Sequence, residues 1–270
     1  MLIRFGHEIT VTCERPTPLV CLVAPHQERL ADLALPEVIT TNPPAPIHSY
    51  FDLFGNLCRR FTAPAGQFTF SSDCTLRDSG QLDPYAPDAA EVPINDLPDD
   101  TLVYLMGSRY CETDRLSQIA WDTFGSTPPG WARVQAICDF VNRRIKFNYM
   151  EASSTRSAWD GYHEGKGVCR DFAHLAIALT RAMNIPARYV NGYLGDIGVA
   201  PTGPGDFAAW MEVFLGGRWW TFDPRNNVRR IGRIVVARGR DAADVPLVNS
   251  FGPHVLAGFR VWTDEVPDRA

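Results

Sequence analysis

One cysteine stands where a thiol could be activated. The segment Gly165–Lys166–Gly167–Val168–Cys169–Arg170–Asp171–Phe172 runs from a glycine-flexible loop into an apolar helical pattern. A thiol in the first turn of a helix faces unpaired backbone N–H groups and the positive end of the helix dipole, and both favour thiolate. The placement predicts that Cys169 titrates below the free value of roughly 8.5 and serves as a nucleophile. Asp171 sits in the same first turn, where a carboxylate complements the helix end. Its charge would also raise the thiol pKa and oppose the dipole.

A nucleophilic thiol needs a base and a group that orients the base. The downstream pattern offers the orienting group. Ala209–Leu215 and Arg218–Phe222 are apolar runs joined by Gly216–Gly217, a strong hairpin signal. That turn sets Leu215 against Arg218, Phe214 against Trp219, Glu212 against Thr221 and Trp210 against Asp223. Ala208 lies diagonally beyond on the same face, and such diagonal neighbours are about 7–8 Å apart. A histidine at 208 could therefore hydrogen-bond Asp223, but the chain has alanine there. The opposite face carries Met211, Val213, Leu215, Trp220 and Phe222 and is expected to pack on the core. The polar face is then expected to look toward the helix of Cys169.

Two histidines are candidate surrogate bases. His163 lies in the loop before Cys169. His174 lies five residues after it, about 140° around the helix, where a core hydrogen bond is the simpler role. Trp159, Trp210 and Asp171 are candidates to line a cleft, with packing as the alternative for the tryptophans and a helix-end charge effect for Asp171.

The elements that must position these groups are legible in outline. Ile3, Phe5, Ile9 and Val11 repeat with period two, and Ser49–Leu57 reads as a hairpin around Gly55–Asn56. Phe61 and Phe68–Thr69–Phe70 extend the strand signal, which gives an all-β module. Residues 80–100 are rich in Pro and Asp and read as a linker or a surface excursion. Helical character starts near Asp114. Pro128–Pro129 then introduces a helix over 131–141, and residues 144–165 read as irregular. The helix of Cys169 carries Phe172, Ala173, Ala176, Leu179 and Met183 on one stripe and ends at Asn184 and Pro186. Strands are expected at 187–194 and 231–236, with a loop over 201–205.

Three stretches together resemble the transglutaminase-like superfamily, papain-related cysteine enzymes. More narrowly, they resemble its bacterial members with an N-terminal β region. They are Gly167–His174, Ile185–Tyr193, and Asp206–Val213 followed by Gly217–Pro224. The close resemblance covers about residues 130–235. It implies Cys169 as nucleophile and Asp223 as orienting carboxylate. The family's His-Ala-Trp falls on Ala208–Ala209–Trp210, so the base histidine is missing. The fold class implied is α+β: a nucleophile helix packed on an antiparallel sheet, with an N-terminal all-β domain. Residues 1–95 would form the β domain and 96–270 the transglutaminase-like domain.

Composition narrows the partners. The net charge is −5, without the clustered basic surface of a nucleic-acid binder. The arginines at 229, 230, 233, 238 and 240 read as a solvated strand face or as contacts to an anionic partner. Seven scattered cysteines without a C-x-x-C fit neither a disulfide framework nor a zinc knuckle, so no metal or cofactor is expected. No segment reads as a signal peptide or membrane span, and a cytoplasmic setting is expected. The leading expectation is a cysteine enzyme acting on an amide or peptide bond, by hydrolysis or acyl transfer through a Cys169 thioester. The alternative is a repurposed fold that binds a peptide or small amide, or that runs non-hydrolytic chemistry.

Overall fold

A computed structural model describes residues 1–201, 203 and 205–267. The chain begins with six strands: β1 (Leu2–Cys13), β2 (Thr17–Cys21), β3 (Thr40–Asn42), β4 (His48–Phe51), β5 (Leu57–Ala63) and β6 (Gly66–Arg77). The period-two pattern of β1 does what alternation demands: Ile3, Phe5, Ile9 and Val11 are buried. Phe61 of β5 meets Phe68 and Phe70 of β6 at 5.4 and 5.3 Å, so two sheets face one another across an aromatic core. The β4–β5 hairpin forms with Phe51 opposite Leu57. Its loop is held by Asp52, which accepts the N–H groups of Phe54 and Asn56.

The second half begins with α1 (Thr113–Phe124) and α2 (Trp131–Arg144), then β7 (Lys146–Phe147), α3 (Ala158–Glu164), β8 (Lys166–Gly167) and α4 (Cys169–Ala182). Strands β9 (Ala187–Tyr193), β10 (Phe207–Leu215), β11 (Arg218–Phe222) and β12 (Ile234–Gly239) build one antiparallel sheet in the order β11-β10-β9-β12. The Gly216–Gly217 hairpin has the expected register, Leu215 opposite Arg218 through Met211 opposite Phe222. Both turn glycines take positive φ, which a two-residue hairpin of this kind requires. Asn184, at φ 64°, ends α4.

Helix α4 is buried along nearly its whole length and packs on β9 and β10. It lies on the Met211 face: Tyr189, opposite Met211, meets His174 of α4 at 5.1 Å. On the same face Trp131 of α2 packs on Phe222 at 4.5 Å and on Trp220 at 5.7 Å. The expectation that the polar face would look toward the nucleophile helix is therefore corrected, because the apolar face takes that position. The polar face is covered from elsewhere. Glu212 bridges Arg188 and Arg238 at 2.7 and 2.9 Å. Arg238 in turn reaches Glu28, and Tyr104 packs edge-on against Trp219 at 5.3 Å.

Two further regions depart from the sequence reading, and a third takes one of its two alternatives, the surface excursion. Residues 144–165 contain α3, a seven-residue helix capped by Ser157 and Asp160 at one end and by Gly165 at φ 63° at the other. So short a helix gives too few turns for a periodic signal. Residues 80–100 form a strap anchored at several points. Asp83 accepts from Arg230 N–H and Arg233, and Glu91 pairs with Arg133 at 2.8 Å. The strand expected at 231–236 begins later, at Ile234. Of the loop expected over 201–205, residues 202 and 204 lie outside the described residues.

The last strands return to the first module. β13 (Val248–Ser250) pairs with β2, and β14 (His254–Val266) pairs along the whole of β1. The sheets read β14-β1-β6-β3 and β13-β2-β5-β4. The first run of strands ends at Arg77, and residues 248–250 and 254–266 share sheets with it. The α+β class with N-terminal strands holds.

Candidate active site

Cys169 is the first residue of α4 and is half-buried. The turn before it is built by glycine and a carboxylate. Asp171 Oδ2 accepts the Val168 N–H at 2.8 Å and a contact from Arg156 at 3.3 Å. A Cβ at Gly167 would lie 2.4 Å from that same oxygen, so the carboxylate can fold back only over glycine. Asp171 is thus a buried helix-end cap, and it is not a wall of the cleft.

The backbone N–H groups of Ala209 and Arg170 favour the thiol's charged form. Arg225 also favours ionisation. Burial and the Asp206 carboxylate oppose it and win, pushing the thiol up to about 11. The expectation of a lowered Cys169 pKa is corrected on that ground: the sulfur is more desolvated than a helix-start position alone implies. Tyr149 joins Asp206 and Arg225 around the sulfur. Burial and the neighbouring Asp206 raise its hydroxyl pKa. Asp206 is itself raised by burial.

These three residues carry no role in the sequence reading. Asp206 stands in the resembling stretch two positions before Ala208, and Arg225 two positions after Asp223. Only the segments following β7, ending at β10 and following β11 bring them to the thiol. Loop geometry of that kind leaves no periodic signal.

Asp223 follows β11 and is buried. Its Oδ1 accepts the N–H groups of Arg225 and Asn226 at 3.1 and 2.9 Å. Its Oδ2 accepts from Asn226 Nδ2 at 2.7 Å and from Arg233 at 2.8 Å. Against the opposing burial, Arg233 and these donors hold its carboxyl below the usual range. Asp223 is engaged by an arginine and an asparagine, with no imidazole in its set.

The histidine candidates lie elsewhere. His163 is exposed on α3, against Trp159 at 4.2 Å and Tyr162 at 5.1 Å. His174 is fully buried, stacks on Tyr110 at 5.1 Å, and its Nε2 accepts the Ala242 N–H at 3.1 Å. Burial holds that ring neutral. Neither lines the two cavities that contain Cys169. Trp159 lies under the Arg115 guanidinium at 4.1 Å, and Trp210 is fully buried beside Arg233 at 4.9 Å. Neither tryptophan lines those cavities; each packs against an arginine.

Ala208 does line both cavities. They measure about 410 and 680 Å³ and meet at Tyr149, Cys169, Asp206, Phe207 and Ala208. The nucleophile position and the vacated base position thus share one cleft. Among the described residues, no cluster of His, Cys, Asp and Glu could hold a metal ion. No helix among them is long and apolar enough to cross a membrane.

The comparisons agree with this geometry. The family described as the transglutaminase-like superfamily matches residues 118–224, from α1 to just past Asp223. The crystal structure of a candidate cysteine protease from Cytophaga hutchinsonii is 31% identical. It superimposes with a TM-score of 0.86 over 100% of this chain and 92% of that one. The chain belongs to the transglutaminase-like superfamily. An uncharacterised protein of Mycobacterium leprae is 41% identical to this transglutaminase-like chain over 108 residues, 38% of each. An uncharacterised protein of Mycobacterium bovis is 37% identical over 154 residues, 50% of this chain and 46% of that protein. The matched region therefore spans less than half the length of these curated relatives.

Proposed function

We propose that this transglutaminase-like protein binds a peptide or small amide in the cleft over Cys169 without cleaving it by the Cys–His–Asp route. The carrying observation is the triad site itself. Alanine stands at 208, Asp223 is engaged by Arg233 and Asn226, and the thiol is pushed up to about 11. At pH 7 such a group is ionised on the order of one part in ten thousand, against a few per cent for an ordinary thiol. The Asp206 carboxylate, while charged, adds to the cost of forming thiolate. Backbone N–H groups at the helix start remain suited to a ligand carbonyl.

A second reading is supported by the N–H groups of Ala209 and Arg170, which favour the ionised sulfur. In it, Cys169 attacks the amide carbonyl, a group on the substrate carries the thiol proton to the nitrogen, the C–N bond breaks, and the amine leaves a thioester on Cys169. Water or an amine then takes the acyl group. One experiment separates the two. The protein is incubated with N-acylglycinamides and short peptide amides, and binding is measured by calorimetry alongside intact mass. Saturable binding with no added mass on Cys169 and no released amine supports the binding reading. An acyl adduct on Cys169 overturns it in favour of the second.

A further inference from the structure

The two cavities that meet at Cys169 differ in chemistry. The larger lies between the helix start and the β1–β14 wall and is mainly apolar, with Ile9, Val11, Val245, Leu247, Leu256 and Phe259 in its lining. Leu256 and Phe259 are 56% and 42% exposed, large apolar groups facing an open space. An apolar surface left this open marks a binding site more often than idle surface. The smaller cavity is charged: Asp196, Asp206, Asp264 and Glu265 stand with Arg225 and Arg230. Phe207 and Ala208 are common to both. A group seated over the thiol therefore has an apolar arm on one side and a polar arm on the other.

We propose that the ligand is an N-acyl amide, seated with its amide at Cys169 and an aliphatic or aromatic acyl group in the arm lined by β1 and β14. This rests on the binding reading above and names the ligand class of that site. The polar end of the molecule lies toward Asp264 and Arg225. An acyl group fits the larger arm on two grounds. Cavities of a few hundred Å³ are the size that small ligands occupy, and the lining offers mostly contacts without hydrogen bonds. A charged group placed there would lose its hydration with few polar partners to replace it.

The test is a series of N-acylglycinamides with acyl chains of two to eight carbons, titrated into the full chain by calorimetry. Affinity is expected to rise about three- to fourfold for each added methylene until the arm is filled. Leu256→Asp, at a half-exposed position, is expected to flatten that dependence. Equal affinity across the series, or a slope that survives Leu256→Asp, overturns the acyl arm and leaves the amide site standing. If the acetyl member and all longer members fail to bind, the amide-binding reading falls, and the arm with it. The slope is read on the unaltered chain, so the test does not depend on a variant folding.

Discussion

Arg233 donates to Asp223 at 2.8 Å while the same guanidinium holds Asp83 at 2.9 Å and lies 4.9 Å from the Trp210 ring. One buried cation thus ties the orienting carboxylate of the family pattern to the strap over the polar face. Replacing Arg233 with methionine leaves Asp223 buried without its counter-ion. Removing one partner of a buried pair costs about 3–5 kcal/mol. Arg233→Met is expected to lower the unfolding free energy measured by urea titration by that much, and a loss under about 1 kcal/mol would show the pair to be marginal.

The same pair sets an acid dependence. Asp223 and Glu212 both have carboxyls held below their ordinary values, against burial, by neighbouring arginines. Such groups bind fewer protons folded than unfolded. Their stabilisation is complete above the unfolded values near 4 and is lost as pH falls through the folded ones. Asp223→Asn should therefore be less stable than the natural chain at pH 7, with the gap closing below about pH 4. Urea titrations at pH 7, 4 and 3 measure this, and a gap that widens on acidification contradicts it.

Cys169 should alkylate slowly. A thiol pushed up to about 11 has a thiolate fraction at pH 7 on the order of a hundred-fold or more below that of a free cysteine. Iodoacetamide labelling followed by peptide mass spectrometry gives the rate. Asp206→Asn removes the charge that raises the thiol and should move the labelling profile to lower pH. An unchanged profile would leave burial as the whole cause.

Ala208→His restores the family residue to a site whose carboxylate is already occupied. Loss of the orienting acid costs a comparable hydrolase about four orders of magnitude. The variant is expected to stay within about tenfold of the natural chain in amide turnover. A gain of a thousandfold would show that the imidazole alone completes the site.

Two glycines let the loop before β10 lie against β14. A Cβ at Gly205 would sit 2.2 Å from the Val261 carbonyl oxygen, and one at Gly195 would sit 2.1 Å from that of Thr263. Backbone atoms of a paired strand cannot yield that space. Gly205→Ala should cost about 1–3 kcal/mol, the usual penalty of overpacking, and thermal unfolding reports it.

The parts of this molecule set by local pattern were readable without coordinates. The stripe on α4 and the turn at Gly216–Gly217 fixed a helix and a register from Leu215 opposite Arg218 to Met211 opposite Phe222. The partner of the hairpin's polar face was not readable. Arg233, Glu28 and Tyr104 reach it from distant segments, and no spacing rule links them. The thiol environment failed for a related reason. The helix dipole is a local term, whereas burial and Asp206 arrive through tertiary packing. β14 went unread because it pairs with β1 across nearly the whole sequence.

That last pairing has a consequence for how the protein matures. Leu256 and Phe259 belong to the strand that joins β1 only after everything between them has been made. Contacts so far apart in sequence form slowly, since their loop-closure entropy is met before any contact is gained. During synthesis, Cys169 and its helix emerge well before this wall exists. A nascent chain therefore presents Cys169 before the β14 side of its cavity has been made, and any selectivity the proposed acyl arm confers arrives with β14.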